Sequence, residues 1–218
     1  HRREASLSQV IEALRANFQG HEALQQRLLS APKYGNNLDA ADQYAVWYVD
    51  TMEGLFSSYH THDGGAIYTA MASNVQNISS GREVAATPDG RMAGEPLSDA
   101  ASPMHGMDRQ GPTAVALSVS KPDYTRVCCG SVVNQKFSPA MFESPEKRAR
   151  LAALVRVYFD RGGQELQINA VSRTLLMDAM AHPERYESLV VRVSGFSAYY
   201  ISLDQAVQED ILMRTEHG

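Results

Sequence analysis

The sequence predicts an α/β fold, and two observations carry that reading. Between residues 145 and 200 the pattern alternates helix, strand, helix, strand, with turn residues at each joint. Earlier, residues 7–18 and 38–59 carry apolar side chains at helical spacing, and residues 126–137 read as a strand. With 218 residues, 44% hydrophobic and 21% charged, the chain has ordinary globular composition and enough length for one or two cores.

In order along the chain, Ser6-Leu7-Ser8-Gln9 opens a helix with apolar positions at Leu7, Val10, Ile11, Leu14 and Phe18, and Gly20 ends it. A second helix is expected over 21–29 and a third over 38–59, the latter burying Ala41, Tyr44, Ala45, Tyr48, Val49, Met52 and Leu55. The first helix starts almost at residue 1, so the chain reads as a piece whose partner surface lies elsewhere. His60-Thr61-His62-Asp63 brings two imidazoles and a carboxylate together. Groups so close in sequence do not readily converge on one ion, so the expectation is a polar helix end and no metal.

Residues 66–78 read as a strand with two alternating faces. One carries Ile67, Thr69, Met71, Ser73, Val75 and Asn77, the other Tyr68, Ala70, Ala72, Asn74, Gln76 and Ile78. Residues 79–112 lack periodicity and are rich in turn residues, which predicts a long loop. The adjacent Cys128 and Cys129 are expected to be buried as small apolar side chains. A helix over 145–159 ends at Gly162-Gly163, followed by a strand over 164–171 and helices over 172–181 and 183–187. Asp204 is expected to cap the last helix, with Val207, Ile211 and Leu212 on its core face.

The formal net charge is −5 and there is no lysine or arginine cluster, which argues against a nucleic-acid or anionic-membrane partner. There is no apolar signal core or run of transmembrane length, and two adjacent cysteines cannot staple a secreted scaffold. The cytoplasm is the expected compartment.

Residues 190–200, Val-Val-Arg-Val-Ser-Gly-Phe-Ser-Ala-Tyr-Tyr, set one glycine between two β-rich runs. On pattern alone they are two short strands joined at Gly195. Together with Leu203, Gln208, Asp210, Ile211 and Arg214-Thr215-Glu216-His217, they resemble the C-terminal signature of the glycyl radical enzymes, Arg-Val-(Ala or Ser)-Gly-(Tyr or Phe). Further matches follow the same family: Lys33-Tyr34-Gly35-Asn36, Thr87-Pro88-Asp89-Gly90-Arg91, Gly111-Pro112-Thr113-Ala114, Gly130 with Asn134-x-Lys136-Phe137, Gly162-Gly163, Gln167-Ile168-Asn169 and the stretch from His182 to Tyr186.

The resemblance implies the C-terminal half of a ten-stranded α/β barrel with a glycine radical loop. Residues 1–140 would form the C-terminal part of the lyase barrel, including the pocket strand, and 141–218 the glycyl radical domain. It implies a lyase or dehydratase that stores a radical on Gly195 and relays it to a cysteine outside this chain, cleaving a C–O, C–C or C–X bond in a small polar substrate. Cys128 and Cys129 match a different barrel strand and are not that thiol. Ala72, Asn74 and Gln76 would line the substrate pocket. No cofactor would be bound permanently. A separate iron–sulfur, S-adenosylmethionine-dependent activase would install the radical, and a microcompartment is one implied location. Alternative readings are a spare-part subunit that repairs an oxygen-cleaved enzyme, or an acyltransferase of the pyruvate formate-lyase type. The chemistry needs glycine because a radical α-carbon must flatten to share spin with the flanking amide and carbonyl, and a Cβ strains that planar geometry.

Overall fold

The structure, a computed structural model, describes residues 5–218. Its helices are α1 (Leu7–Arg15), α2 (Glu22–Ser30), α3 (Asp39–Phe56), α4 (Gln76–Glu83), α5 (Gly111–Val119), α6 (Pro145–Asp160), α7 (Arg173–Ala181) and α8 (Gln205–Met213). Its strands are β1 (Val132–Phe137), β2 (Glu165–Ala170), β3 (Val190–Arg192), β4 (Ser197–Tyr199) and β5 (Glu216–His217). The chain divides into two compact units, one of residues up to Pro32 with Gln76–Leu97, the other of Lys33–Val75 with Ser98–Gly218.

In the smaller unit, α1 begins on a reciprocal cap: Gln9 N–H donates to Ser6 Oγ at 3.2 Å and Ser6 N–H to Gln9 Oε1 at 2.8 Å. Ala13, Phe18 and Ala86 form its core. Of the apolar positions at helical spacing, Phe18 is buried in that core, whereas Leu7 and Ile11 are exposed, because α1 turns its Ala13 side to it. The Thr-Pro-Asp-Gly-Arg run is a tight turn closed by Gly90 N–H donating to Thr87 O at 3.0 Å. Arg91, buried, donates to the carbonyls of Val84, Ala85, Met92 and Glu95 at 3.2, 2.5, 3.0 and 2.6 Å, so this charge serves as a backbone clamp.

The larger unit is built on a three-stranded parallel sheet in the order β2-β1-β5. A parallel pair needs a crossover, which α6 supplies between β1 and β2. Val133 and Phe137 on one face of β1 pack with Val115, Ala116 and Val119 of α5 and Leu151, Leu154 and Tyr158 of α6. A second core joins Leu176 and Ala179 of α7, Ile211 of α8 and Val191, Val193 and Tyr200 around the β3–β4 hairpin, and Val207 and Leu212 flank it as expected.

Several expectations need correction. No strand forms over 66–78. Asn74 turns left-handed and α4 starts at Gln76, so only Met71 bridges in parallel to Ser131. The long loop is shortened at both ends by α4 and by α5, which the Gly111-Pro112 start opens. Cys128 and Cys129 are exposed, because they follow a 3₁₀ turn and lie ahead of β1. On α3 the buried residues are Asp42, Val49 and Glu53, whereas Tyr44, Tyr48 and Leu55 are exposed. Asp42 is drawn in by Ser118 Oγ at 2.9 Å and Lys121 Nζ at 2.6 Å. Asp204 holds the N-cap position of α8, but its side chain makes no capping bond.

Lys136, in β1, is buried and donates from Nζ to Leu212 O at 3.0 Å. Burial lowers its ammonium from the ordinary 10.5 to about 8. Below about pH 8 the lysine is charged in both the folded and unfolded chain, so the full burial cost is present. Between about pH 8 and 10.5 the unfolded chain binds more protons, so folding gains stability as pH rises. Urea unfolding should show wild type gaining on Lys136→Met by on the order of 2 kcal/mol from about pH 7.5 to about pH 10. A difference that does not move with pH would overturn this reading.

Candidate functional site

The β3–β4 hairpin pairs Val190 with Tyr199, Val191 with Ala198 and Arg192 with Ser197. Val193 N–H donates to Phe196 O at 2.8 Å, leaving Ser194 and Gly195 as the tip. Gly195 has φ of +82°, a backbone region that L side chains rarely adopt, which is why the sequence places glycine there. Its α-carbon is uncrowded. Apart from its chain neighbours, the only described heavy atom within 4 Å of where a Cβ would stand is Asn74 Oδ1, at 3.4 Å.

Asn74 is itself left-handed, with φ of +52°, a conformation its short amide side chain tolerates better than most. It lies on the segment leading away from the sheet. Met71 N–H donates to Gly130 O at 2.9 Å and Val132 N–H returns a bond to Met71 O at 3.0 Å, so residues around 71 run alongside the start of β1. From 66 to 75 exposure alternates as a strand would: Ile67, Thr69, Met71, Ser73 and Val75 are partly buried, and Tyr68, Ala70, Ala72 and Asn74 are exposed.

Of the three residues expected at a pocket, the structure brings Asn74 to Gly195. Ala72 is exposed on the same side of the segment. Gln76 is the first residue of α4, where its Oε1 accepts from Ser79 Oγ at 2.8 Å.

Beneath the tip lies a buried charged network that the sequence did not reveal. Asp99, 1% exposed, accepts at Oδ1 from Ser194 Oγ at 3.0 Å and from Ser73 Oγ, and at Oδ2 from Asn134 Nδ2. Arg214 Nη2 lies 3.4 Å from Asp99 Oδ2 and 3.2 Å from Asp210 Oδ2, and Asp210 Oδ1 is 2.9 Å from His105 Nε2. Burial would raise the Asp210 carboxyl, but the hydrogen bond and charge of His105, followed by those of Arg214, outweigh it and hold it below the ordinary Asp value. The base of the hairpin is clamped as well. Asn169 Nδ2 donates to Arg192 O and Arg192 N–H to Asn169 Oδ1, each at 2.7 Å.

Asp210, Arg214 and Ser194 stood inside the C-terminal signature, so a signal existed for them. Asn134 stood in the Asn134-x-Lys136-Phe137 match, whereas Asp99 and Ser73 carried no signal. Among the described residues no three His, Cys, Asp or Glu side chains are placed to hold a metal ion, and no helix is long and apolar enough to cross a membrane. His60 instead bridges to Ala66 around the Gly64-Gly65 turn.

Comparison with known proteins agrees with the signature. The "Glycine radical" family profile matches residues 97–201 and the "Pyruvate formate lyase-like" profile residues 2–81. The probable dehydratase YbiW of Escherichia coli is 41% identical over 96% of this chain and 27% of its own length. The trans-4-hydroxy-L-proline dehydratase of Clostridioides difficile is 33% identical over 99% of this chain and 27% of its own. Among solved structures, the glycerol-bound B12-independent glycerol dehydratase from Clostridium butyricum superposes with a TM-score of 0.96 at 37% identity, covering 99% of this chain and 28% of that one. The chain thus spans about a quarter of the length of the relatives it matches. With the hairpin tip and both family profiles in agreement, the chain belongs to the glycyl radical enzymes and corresponds to their C-terminal part, an α/β piece of the family fold.

Proposed function

We propose that this chain is the radical-storing part of a glycyl radical lyase or dehydratase, and that Gly195 carries the radical. One observation carries the reading: inside the glycine radical match, Gly195 is exposed at the hairpin tip with an unhindered α-carbon, while its neighbour Ser194 is buried. An activase removes one α-hydrogen, and the flattened carbon shares its spin with the adjoining amide and carbonyl. The radical is then relayed to a cysteine on the remainder of the enzyme, which takes hydrogen from a small polar substrate and so opens a C–O, C–C or C–X bond. This chain's part is to hold Gly195 in place, and the remainder of the enzyme covers the exposed tip and excludes water. Residues 1–140 belong to the lyase barrel and 141–218 to the radical domain in this reading.

Anaerobic activation should give an electron paramagnetic resonance doublet, split by the single α-hydrogen left on the radical carbon, and air should then cut the activated chain at Gly195. Mass spectrometry finding the chain intact after air exposure of a verified radical would overturn the assignment.

Ala72, Asn74 and Gln76 remain our candidates for the substrate pocket, with Asn74 linking it to the radical site. A polar substrate suits these amides, because an apolar one would leave buried amide groups unpaired at about 1 to 3 kcal/mol each. Asn74→Leu should therefore lower kcat/KM of the assembled enzyme at least about tenfold, corresponding to about 1.4 kcal/mol. Radical yield falling in step with turnover, or turnover at the wild-type level, would make Asn74 a support for the tip and no part of the pocket.

A further inference from the structure

We infer that Asp99 is a positioning residue that locks the Gly195 tip to the Asn74 segment; the inference rests on reading Gly195 as the radical site. The geometry is specific. One carboxylate oxygen, Asp99 Oδ1, accepts from the hydroxyls of both Ser194 and Ser73. Each serine immediately precedes a left-handed residue of the site, Gly195 at φ +82° and Asn74 at φ +52°. A single buried anion therefore ties together two left-handed backbone positions that belong to different segments, where Asn74 Oδ1 lies 3.4 Å from the Cβ position of Gly195.

The charge itself needs an explanation. Serine hydroxyls could be satisfied by a neutral acceptor, and burying a carboxylate is expensive unless it is paired. Asp99 is paired, through Arg214, which also meets Asp210, which in turn meets His105. Arg214 Nη1 lies 3.4 Å from Arg192 O at the last residue of β3, so the same cation holds both the carboxylate and the strand that carries the tip. An ionised acceptor makes stronger hydrogen bonds than a neutral one, and it is acceptor-only. It can therefore take both hydroxyl protons at one oxygen while the other oxygen faces Asn134 and Arg214. Asparagine is nearly the same size, but it has one acceptor oxygen and an NH₂ that would face a donor. Asp99→Asn should thus keep the volume and lose the lock.

Hydrogen exchange followed by mass spectrometry tests this without activation. In Asp99→Asn, peptides covering residues 72–75 and 193–197 should both exchange at least tenfold faster than in wild type, while peptides from β1, β2 and α6 keep their rates. Ser194→Ala and Ser73→Ala remove one hydroxyl each and guard against a variant that fails to fold. Each should speed exchange at the other's segment as well as its own. After anaerobic activation, the doublet of Asp99→Asn should decay at least tenfold faster than that of wild type. Wild-type exchange at 193–197 in Asp99→Asn and Ser194→Ala overturns the lock, as does exchange that rises equally across the sheet. Faster tip exchange with an unchanged doublet lifetime overturns the positioning role. A wild-type chain that gives no doublet overturns the reading of Gly195 instead, and the exchange rates alone then decide whether the lock exists.

Discussion

Gly195→Ala should yield a folded chain that carries no radical. The fold survives because the added methyl meets only Asn74 Oδ1, at 3.4 Å, an ordinary van der Waals approach. The cost is conformational, since alanine at φ of +82° is strained by about 1 to 2 kcal/mol. That strain falls on a hairpin tip, and β3 and β4 remain seated through Val191 and Tyr200 in the second core. The chemistry does not survive. Alanine has one α-hydrogen on one face, and flattening its α-carbon drives the methyl toward the neighbouring carbonyl. Thermal unfolding should place the variant a few degrees below wild type, and the doublet should be absent after anaerobic activation. A persisting doublet would place the radical at another residue.

Arg214→Met should cost about 3 to 5 kcal/mol of stability, the range for removing one partner from a buried ionic cluster. The methionine fills much of the space, but Asp99 and Asp210, 1% and 3% exposed, would be left without the cation that lies between them. Arg214→Lys should recover only part of this, because an ammonium is a point charge and cannot present separate N–H groups to both carboxylates and to Arg192 O. Denaturant unfolding of the three chains checks the order. A loss below about 1 kcal/mol for Arg214→Met would mean that the carboxylates neutralise themselves by taking up protons.

What could be read from the sequence was whatever is local. The hairpin was legible because β-branched and aromatic runs flank a glycine, and the crossover because Pro145, Gly162-Gly163 and the strand after them punctuate it. The segment 66–78 was half legible. Its alternation of exposed and partly buried side chains is real from 67 to 75, but its ladder is missing: only Met71 finds a place beside Ser131, and further along β1 Ala101 N–H donates to Val132 O and Ser102 Oγ accepts from Asn134 N–H. The apolar stripe on α3 was misjudged because periodicity says which residues share a face, and does not say whether that face is covered. On α3 the polar anchors Ser118 and Lys121 decide that Asp42 goes in. Asp99 was invisible because its partners, Ser73, Asn134, Ser194 and Arg214, come from four separate segments and none of them lies near it in sequence.

That scatter bears on when the site comes into being. The bonds to Asp99 close loops of 26 residues to Ser73, 35 to Asn134 and 95 to Ser194. Loop closure of increasing length costs increasing chain entropy, so non-local contacts form after local ones and wait for the elements that carry them. A chain still emerging from the ribosome can fold α1, α2 and α3 early, yet it has no lock for the tip until residue 214 has been made. The glycine hairpin is thus among the last parts of the molecule to be completed, and an activase that recognises the locked tip would meet finished molecules and pass over nascent ones.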